Sequence, residues 1–286
     1  MTHLEIFNWL VAVGMRAHYG DKPDRAALLR CLWEKKRIMD NGFVDYYIMA
    51  FTLFRHNAYS AGIEYWARGA VPSSIICYCL GLTEIDPIKY GLHSVRFVND
   101  QLPKFQFDVE TSRFDEFMDM AEETMHTGMT EGYDIQAIRE CLFKDVKPYG
   151  CLSRKQERPL PENIDDEMAR CALYYPQTMD LYKAYIQNPK CEFLIYQEQM
   201  LDILKETFNV SSIEANQIRL SIQRGETEQV EAYKQRIFAD LKGLTPQQAE
   251  GAWQRLTSNP RAFLKAHAVS RVLASYKYEI KNNIKN

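Results

Sequence analysis

Pro103-Lys104-Phe105-Gln106-Phe107-Asp108-Val109 is the stretch on which the reading of this chain turns. Phe105, Phe107 and Val109 alternate with Lys104, Gln106 and Asp108, the period of a strand with one face buried and one face polar. The polar face carries Gln106 and Asp108 at i and i+2. Two-metal phosphoryl transfer needs carboxylates converging on ions about 3.5–4 Å apart, and a strand delivers side chains at that spacing. Glutamine supplies only a neutral oxygen, without the charge that holds a divalent ion tightly.

Outward from this strand the pattern is helical. Leu4, Phe7, Leu10, Val11 and Gly14 recur at helical spacing, as do Leu28, Leu29, Leu32 and Trp33 before the Asn41-Gly42 stop. Phe43–Ala61 is apolar enough to be a helix buried on most sides. Pro72 is expected in the first turn of a helix running to Leu80, and Asp86-Pro87 to start a short one. Between Asp108 and Asp134 seven further acids face only Arg113, the composition of a solvated segment, and the Pro-containing stretch Leu152–Asn163 reads as a linker. Beyond it, Glu192–Phe208 is expected as a helix. Ser211–Glu214 has the spacing of a capping box, Thr245-Pro246 opens a helix and Asn259-Pro260 closes it.

The bulk numbers set bounds. A chain of 286 residues, 46% hydrophobic and 26% charged, can bury one large core or two small ones. A net charge of -3 argues against nonspecific coating of nucleic acid, but not against a local basic face. Such a face is expected near the C-terminus, where seven basic residues from Arg255 to Lys285 oppose Glu279 alone. His267 and Arg271 there lie one helical turn apart, with Lys265, Tyr276 and Tyr278 nearby. Neither a signal peptide nor a membrane span is expected, because Met1–Phe7 lacks a basic start and the apolar runs are short. The seven cysteines form no Cys-x-x-Cys pair and read as reduced, mostly buried thiols of a cytoplasmic protein.

A second candidate site is Arg68-Gly69-Ala70-Val71-Pro72-Ser73-Ser74. Small residues at a helix start let an anion approach the backbone amides, and a neighbouring arginine can add a bidentate contact. The same residues suit a plain loop-to-helix turn, and the pattern alone does not choose.

Taken in order, several motifs resemble the α subunit of bacterial DNA polymerase III, the C-family polymerases. They are Gly42-Phe43-Val44-Asp45-Tyr46-Tyr47, Arg68-Gly69, Leu80-Gly81-Leu82-Thr83, Asp86-Pro87, Tyr90-Gly91-Leu92 and Arg96-Phe97-Val98-Asn99. In the second half, Ala172-Leu173-Tyr174-Tyr175-Pro176, Tyr196-Gln197-Glu198-Gln199 and Phe263-x-Lys265-x-His267-Ala268 continue the resemblance. The family strand reads Pro-Asp-Phe-Asp-x-Asp-Phe, and its last two aspartates bind the metals. Here Gln106 replaces the first of these and Asp108 keeps the second. Only residues 109–171 separate Asp108 from the next motif, so a thumb is expected to be missing or much reduced, and Asp119 is the one stand-in for a third aspartate.

The resemblance implies a predominantly helical α+β fold. Residues 1–135 would form a helical lead-in and a small mixed-sheet, nucleotidyltransferase-like palm remnant, and residues 136–286 a helical fingers-like region. It implies a truncated form, without the family's N-terminal phosphoesterase-like domain or its C-terminal clamp- and single-strand-binding domains. It places Asp108 as the catalytic and metal-binding carboxylate. Arg68, Gly69, Ser73, Ser74, Arg96, Arg219, Arg224, Lys265 and His267 fall around a nucleotide or template. Expected partners are DNA, a deoxynucleotide and a replisome protein, and no membrane; Mg²⁺ is expected if the chain is active and no cofactor otherwise. Two functions follow. One is a DNA- or nucleotide-binding protein with impaired or lost polymerase activity; the other is a minimal Mg²⁺-dependent DNA-directed DNA polymerase. A helical domain with no nucleic-acid role, its Tyr196–Gln199 motif kept for packing, is a third reading.

Overall fold

The computed structural model of the protein describes residues 1–126, 135–149, 163–189, 191–241 and 243–284. The chain divides into two units, Met1–Glu157 with Leu273–Asn286, and Arg158–Val272.

The first unit begins with α1 (His3–Tyr19) and α2 (Arg25–Asp40). A reciprocal box between Thr2 and Glu5 starts α1, and the Asp24 side chain accepts from the Ala27 amide to start α2. Next come α3 (Val44–Ala50), a π-helical stretch Phe51–Ala58, β1 (Tyr65–Ala67) and α4 (Ile75–Cys79). Then follow β2 (Phe107–Glu110), α5 (Phe114–His126), α6 (Ile135–Leu142) and β3 (Lys147–Tyr149). The three strands make a mixed sheet in the order β1-β2-β3, antiparallel on one side of β2 and parallel on the other. Phe105, Phe107 and Val109 are fully buried beneath it, as the alternation requires. Phe54 stacks on Phe107 with ring centroids 3.8 Å apart and also on Phe117. Tyr47 and Phe97 meet Phe105 edge-on. α1 lies so close to α4 that a Cβ on Gly14 would fall 2.0 Å from the Cys79 carbonyl oxygen. That contact excludes any larger residue at position 14.

Several expectations are revised. The helix expected over Phe43–Ala61 becomes π-helical from Phe51, a widened winding that brings Leu53, Phe54 and Ala58 all to the core. Pro72 lies in a 3₁₀ turn, Val71–Ser73, and the helix begins only after Ser74, whose side chain accepts from the Cys77 amide. Asp86-Pro87 makes turns instead of a helix, the Asp86 carboxylate accepting from the Ile88 amide and the Tyr19 hydroxyl. The acidic run after Asp108 is not merely solvated: its α5 portion buries Phe117, Ala121 and Met125 along one side and turns its acids outward. The stretch expected as a linker lies, but for Asn163, outside the described residues.

The second unit consists of α7 (Ile164–Leu173), α8 (Met179–Gln187), α9 (Gln197–Asp202), α10 (Ser212–Arg224), α11 (Thr227–Phe238), α12 (Pro246–Thr257) and the start of α13 (Lys265–Ile284). The helix expected over Glu192–Phe208 starts at Gln197 and ends in a π turn, Ile203–Thr207. Ser211 caps α10 as expected, but the Glu214 side chain pairs with Arg236. Thr245 and Gln248 form a complete box on α12. Phe208, Phe238 and Trp253 pack together, above buried Leu204, Ala249 and Leu256.

Among the described residues, four cysteines are buried, Cys171 is half-buried and Cys191 is exposed. Burial pushes the Cys31 thiol up to about 11. No helix among the described residues is long and apolar enough to cross a membrane.

Candidate functional site

β2 places Asp108 on the polar face of the sheet, opposite Trp66 of β1 and beside Lys147 of β3. Directly paired residues share a face, so the neighbours that the strands supply to Asp108 are an indole and a cation. The loop leaving β1 adds Arg68. Its backbone amide donates to the Gln106 carbonyl at 2.9 Å, which extends the β1–β2 pairing by one bond. The Arg68 Nε then donates to Asp108 Oδ1 at 2.7 Å, and its terminal nitrogen to the Asp145 carbonyl at 2.6 Å. Both members of the ion pair are largely shielded, with side chains 14% and 24% exposed.

Gln106 turns toward the same loop. A Cβ on Gly69 would fall 1.6 Å from Gln106 Oε1, and Gly69 adopts a φ of +62°. The left-handed backbone favours glycine there, and a side chain would also force the Gln106 amide to move. The residue that stands at the first metal-aspartate position of the resemblance thus covers the glycine of the candidate phosphate loop.

That loop has an anion of its own. Glu34, on α2 and with no exposed surface, accepts from the Ser74 hydroxyl at 2.7 Å and the Ser94 hydroxyl at 2.6 Å. It also accepts from the Ile75 and Ile76 amides, each at 3.2 Å, and pairs with Arg30. Arg30 continues the clamp through the carbonyls of Ser73 and Leu92. The amides at the start of α4, which sequence reading assigns to a phosphate, are therefore bonded to a carboxylate of the chain itself. Ser73 and Ser74 are wholly buried, and the Ser73 hydroxyl has no hydrogen-bond partner. Arg96 closes a 3₁₀ turn next to this cluster and is half-buried.

Sequence reading missed two residues here. Apart from its i,i+4 spacing to Arg30, Glu34 gave no local signal, since its other partners lie 40 to 60 positions away. Asp145 lies two residues before Lys147, the register partner of Asp108, and its backbone meets the same arginine.

A two-metal centre does not fit these residues. Among the described residues no three histidine, cysteine, aspartate or glutamate side chains are grouped so as to hold an ion. Asp119 is exposed on α5. Asp108 is already neutralised by Arg68, and Gln106 brings no charge.

In the second unit the Tyr196–Gln199 motif ties two segments together. The Gln197 amide donates to the Phe263 carbonyl and the Phe263 amide to the Ile195 carbonyl, both at 2.8 Å. Gln199 Oε1 accepts from the amides of Ile195 and Tyr196. Glu198, buried, accepts from the Lys265 amide at 2.9 Å and so caps α13. Arg219 is 1% exposed and donates to Asn216, Gln197 and Gln223. The motif thereby fixes the first turns of α13, where Lys265 lies over the Tyr196 ring and His267 beside Phe263. Tyr175 stacks on Phe263 and receives a hydrogen bond from Arg271. Burial raises the Tyr175 hydroxyl above its usual range against the pull of Arg271, so the group stays neutral. Lys265, His267 and Arg271 are half-buried, and Arg224 is exposed beside Glu226. The arrangement is a cationic surface with aromatic faces, suited to phosphates and stacked bases.

Comparison with known proteins puts these observations in a lineage. The profile of the bacterial DNA polymerase III alpha NTPase domain matches residues 5–208. The error-prone DNA polymerase of Cutibacterium acnes is 36% identical over 118 residues, 40% of this chain and 10% of that protein. The DNA polymerase III subunit alpha of Bacillus subtilis is 27% identical over 195 residues, 66% of this chain and 16% of that protein. The corresponding subunit of Mycobacterium leprae is 34% identical over 113 residues, 37% of this chain and 10% of that protein. The chain spans roughly a tenth to a sixth of the length of these relatives.

Proposed function

The chain belongs to the bacterial DNA polymerase III alpha family, and on that premise we propose that it is a cytoplasmic DNA- or nucleotide-binding protein whose polymerase chemistry is lost. The observation that carries this reading is the Arg68–Asp108 ion pair beside Gln106. Metals stabilise phosphoryl transfer by meeting the charge that develops on oxygen. Here the position that would hold those metals contains one carboxylate, already matched by a guanidinium, and one amide. Binding is a different matter. Arg224, Lys265 and Arg271 supply cations, His267 a polar ring, and Tyr175, Tyr196 and Phe263 aromatic faces, without any metal.

The test is a titration with primer–template DNA and deoxynucleotide, with and without Mg²⁺, run beside an extension assay. Salt-sensitive binding without extension is the expected result. A minimal polymerase has one observation in its favour, the carboxylate kept at Asp108 on β2, although Asp145 meets Arg68 there only through its backbone carbonyl. That reading requires Mg²⁺-dependent extension that Asp108→Ala abolishes. If neither DNA nor nucleotide binds at low salt, competition for a replisome partner is the version of the proposal that remains.

A further inference from the structure

We propose that the outward apolar side of α2 joins two copies of this chain antiparallel across a two-fold axis. The proposal goes beyond the binding function above and does not depend on it. α2 buries Ala27, Cys31, Glu34 and Ile38 on one side. The other side presents Leu28, Leu29, Leu32 and Trp33, with Leu29 and Leu32 each 54% exposed and Met39 exposed further along. A surface helix ordinarily turns polar residues outward. Five large apolar side chains this open leave on the order of 400 Å² of apolar surface, the size at which a patch on a monomer commonly marks a contact.

The charges on the same helix indicate what covers the patch. Arg25 is the first residue of α2 and Asp40 the last. Each has the wrong sign for its own end of the helix dipole, which favours acids at the start and bases at the end. Within one chain they are offset by the capping Asp24, by Arg37 in the last turn and by an exposed pair of Asp40 with Lys36. An antiparallel second α2, centred between Leu32 and Trp33, sets Arg25 against Asp40 of the partner subunit. The same register sets Ala26, which is small and exposed, against Met39 of the partner subunit. Leu32 meets Trp33 of the partner subunit, and Leu29 meets the aliphatic stem of the partner subunit's Lys36. Every one of these pairings occurs twice, as an isologous interface requires. A parallel arrangement would instead oppose like charges at both ends.

With its rim the interface would bury on the order of 1,000 Å² in total, just below the usual range of stable complexes. A micromolar, concentration-dependent dimer is the expected form. Sedimentation equilibrium of the full chain from about 1 to 200 µM spans the corresponding free energies. A monomer–dimer equilibrium is expected, weakened at least about tenfold by Leu32→Lys, with Tm unchanged when melts are run at concentrations well below the dimer Kd, where the parent is monomeric too. Arg25→Asp and Asp40→Arg should each weaken the dimer, and the double variant should restore it. A chain that stays monomeric throughout overturns the proposal. So does a dimer indifferent to Leu32→Lys, or a double variant no tighter than the single ones.

Discussion

The sheet of the first unit and the α9–α13 junction of the second carry similar polar inventories, used in opposite ways. Around the sheet, opposite charges meet each other: Arg68 with Asp108, Arg30 with Glu34, and Glu34 with the helix start that would otherwise receive an anion. At the junction, the buried Gln197 and Glu198 hold backbone groups, and the buried Arg219 holds the side chains of Asn216, Gln197 and Gln223. Lys265, His267, Arg271 and Arg224 are left at or near the surface. A polar group already paired inside the protein has little left to offer a ligand, whereas one held in place at the surface does. On the proposed function, that difference would separate a lost reaction from a retained binding surface.

The comparison is broken most severely at Glu34. Replacing it with alanine strands two hydroxyls, two amides and Arg30 in the interior, an expected loss of about 3–5 kcal/mol. Urea unfolding should show the loss as a lower midpoint, and an unchanged midpoint would mean the clamp is not formed. Next comes Arg219→Ala, where the buried acceptors of Asn216 and Gln197 lose their donor. A loss of about 2–3 kcal/mol is expected by the same measurement.

Gly69→Ala should cost about 1–2 kcal/mol through the left-handed backbone, with a further part from the clash with Gln106. Adding Gln106→Ala should recover only the clash, so two thermal melts separate the contributions. Smallest in stability is Arg224→Ala, within about 0.5 kcal/mol of the parent. Its effect should appear instead in DNA binding, weaker and with a salt slope lower by about 1. If Arg219→Ala, in the fraction that remains folded, changed that slope as Arg224→Ala does, the division between buried and presented cations would be wrong.

How much of this could be read beforehand depends on how local each determinant is. The strand expected over residues 104–109 was legible in its alternation, a property of adjacent residues, although pairing forms only over Phe107–Glu110; the caps at Ser211 and Thr245 were legible because a box spans four. The acidic run was misread because charge was counted and spacing was not. Phe117, Ala121 and Met125, four apart, were the signal for a helix face. Arg219 and Arg224 look alike in sequence, yet Arg219 lies on the side of α10 that also buries Ala215, Ile218 and Ile222, while Arg224 ends the helix at the Gly225 cap. The hydroxyl and amide partners of Glu34 and the meeting of Arg68 with Asp108 depend on contacts 40 or more residues apart, which no window along the chain reveals.

The central claim is that the carboxylate left on β2 is held by an arginine and no longer assembles a divalent centre. Electron paramagnetic resonance of Mn²⁺ added to the full chain, with and without DNA and deoxynucleotide, reads that directly. The account predicts that the parent protein binds no Mn²⁺ beyond what DNA and deoxynucleotide take up in its absence, and that Gln106→Asp combined with Arg68→Ala begins to bind it. Two Mn²⁺ ions bound by the parent and released by Asp108→Ala would contradict the account.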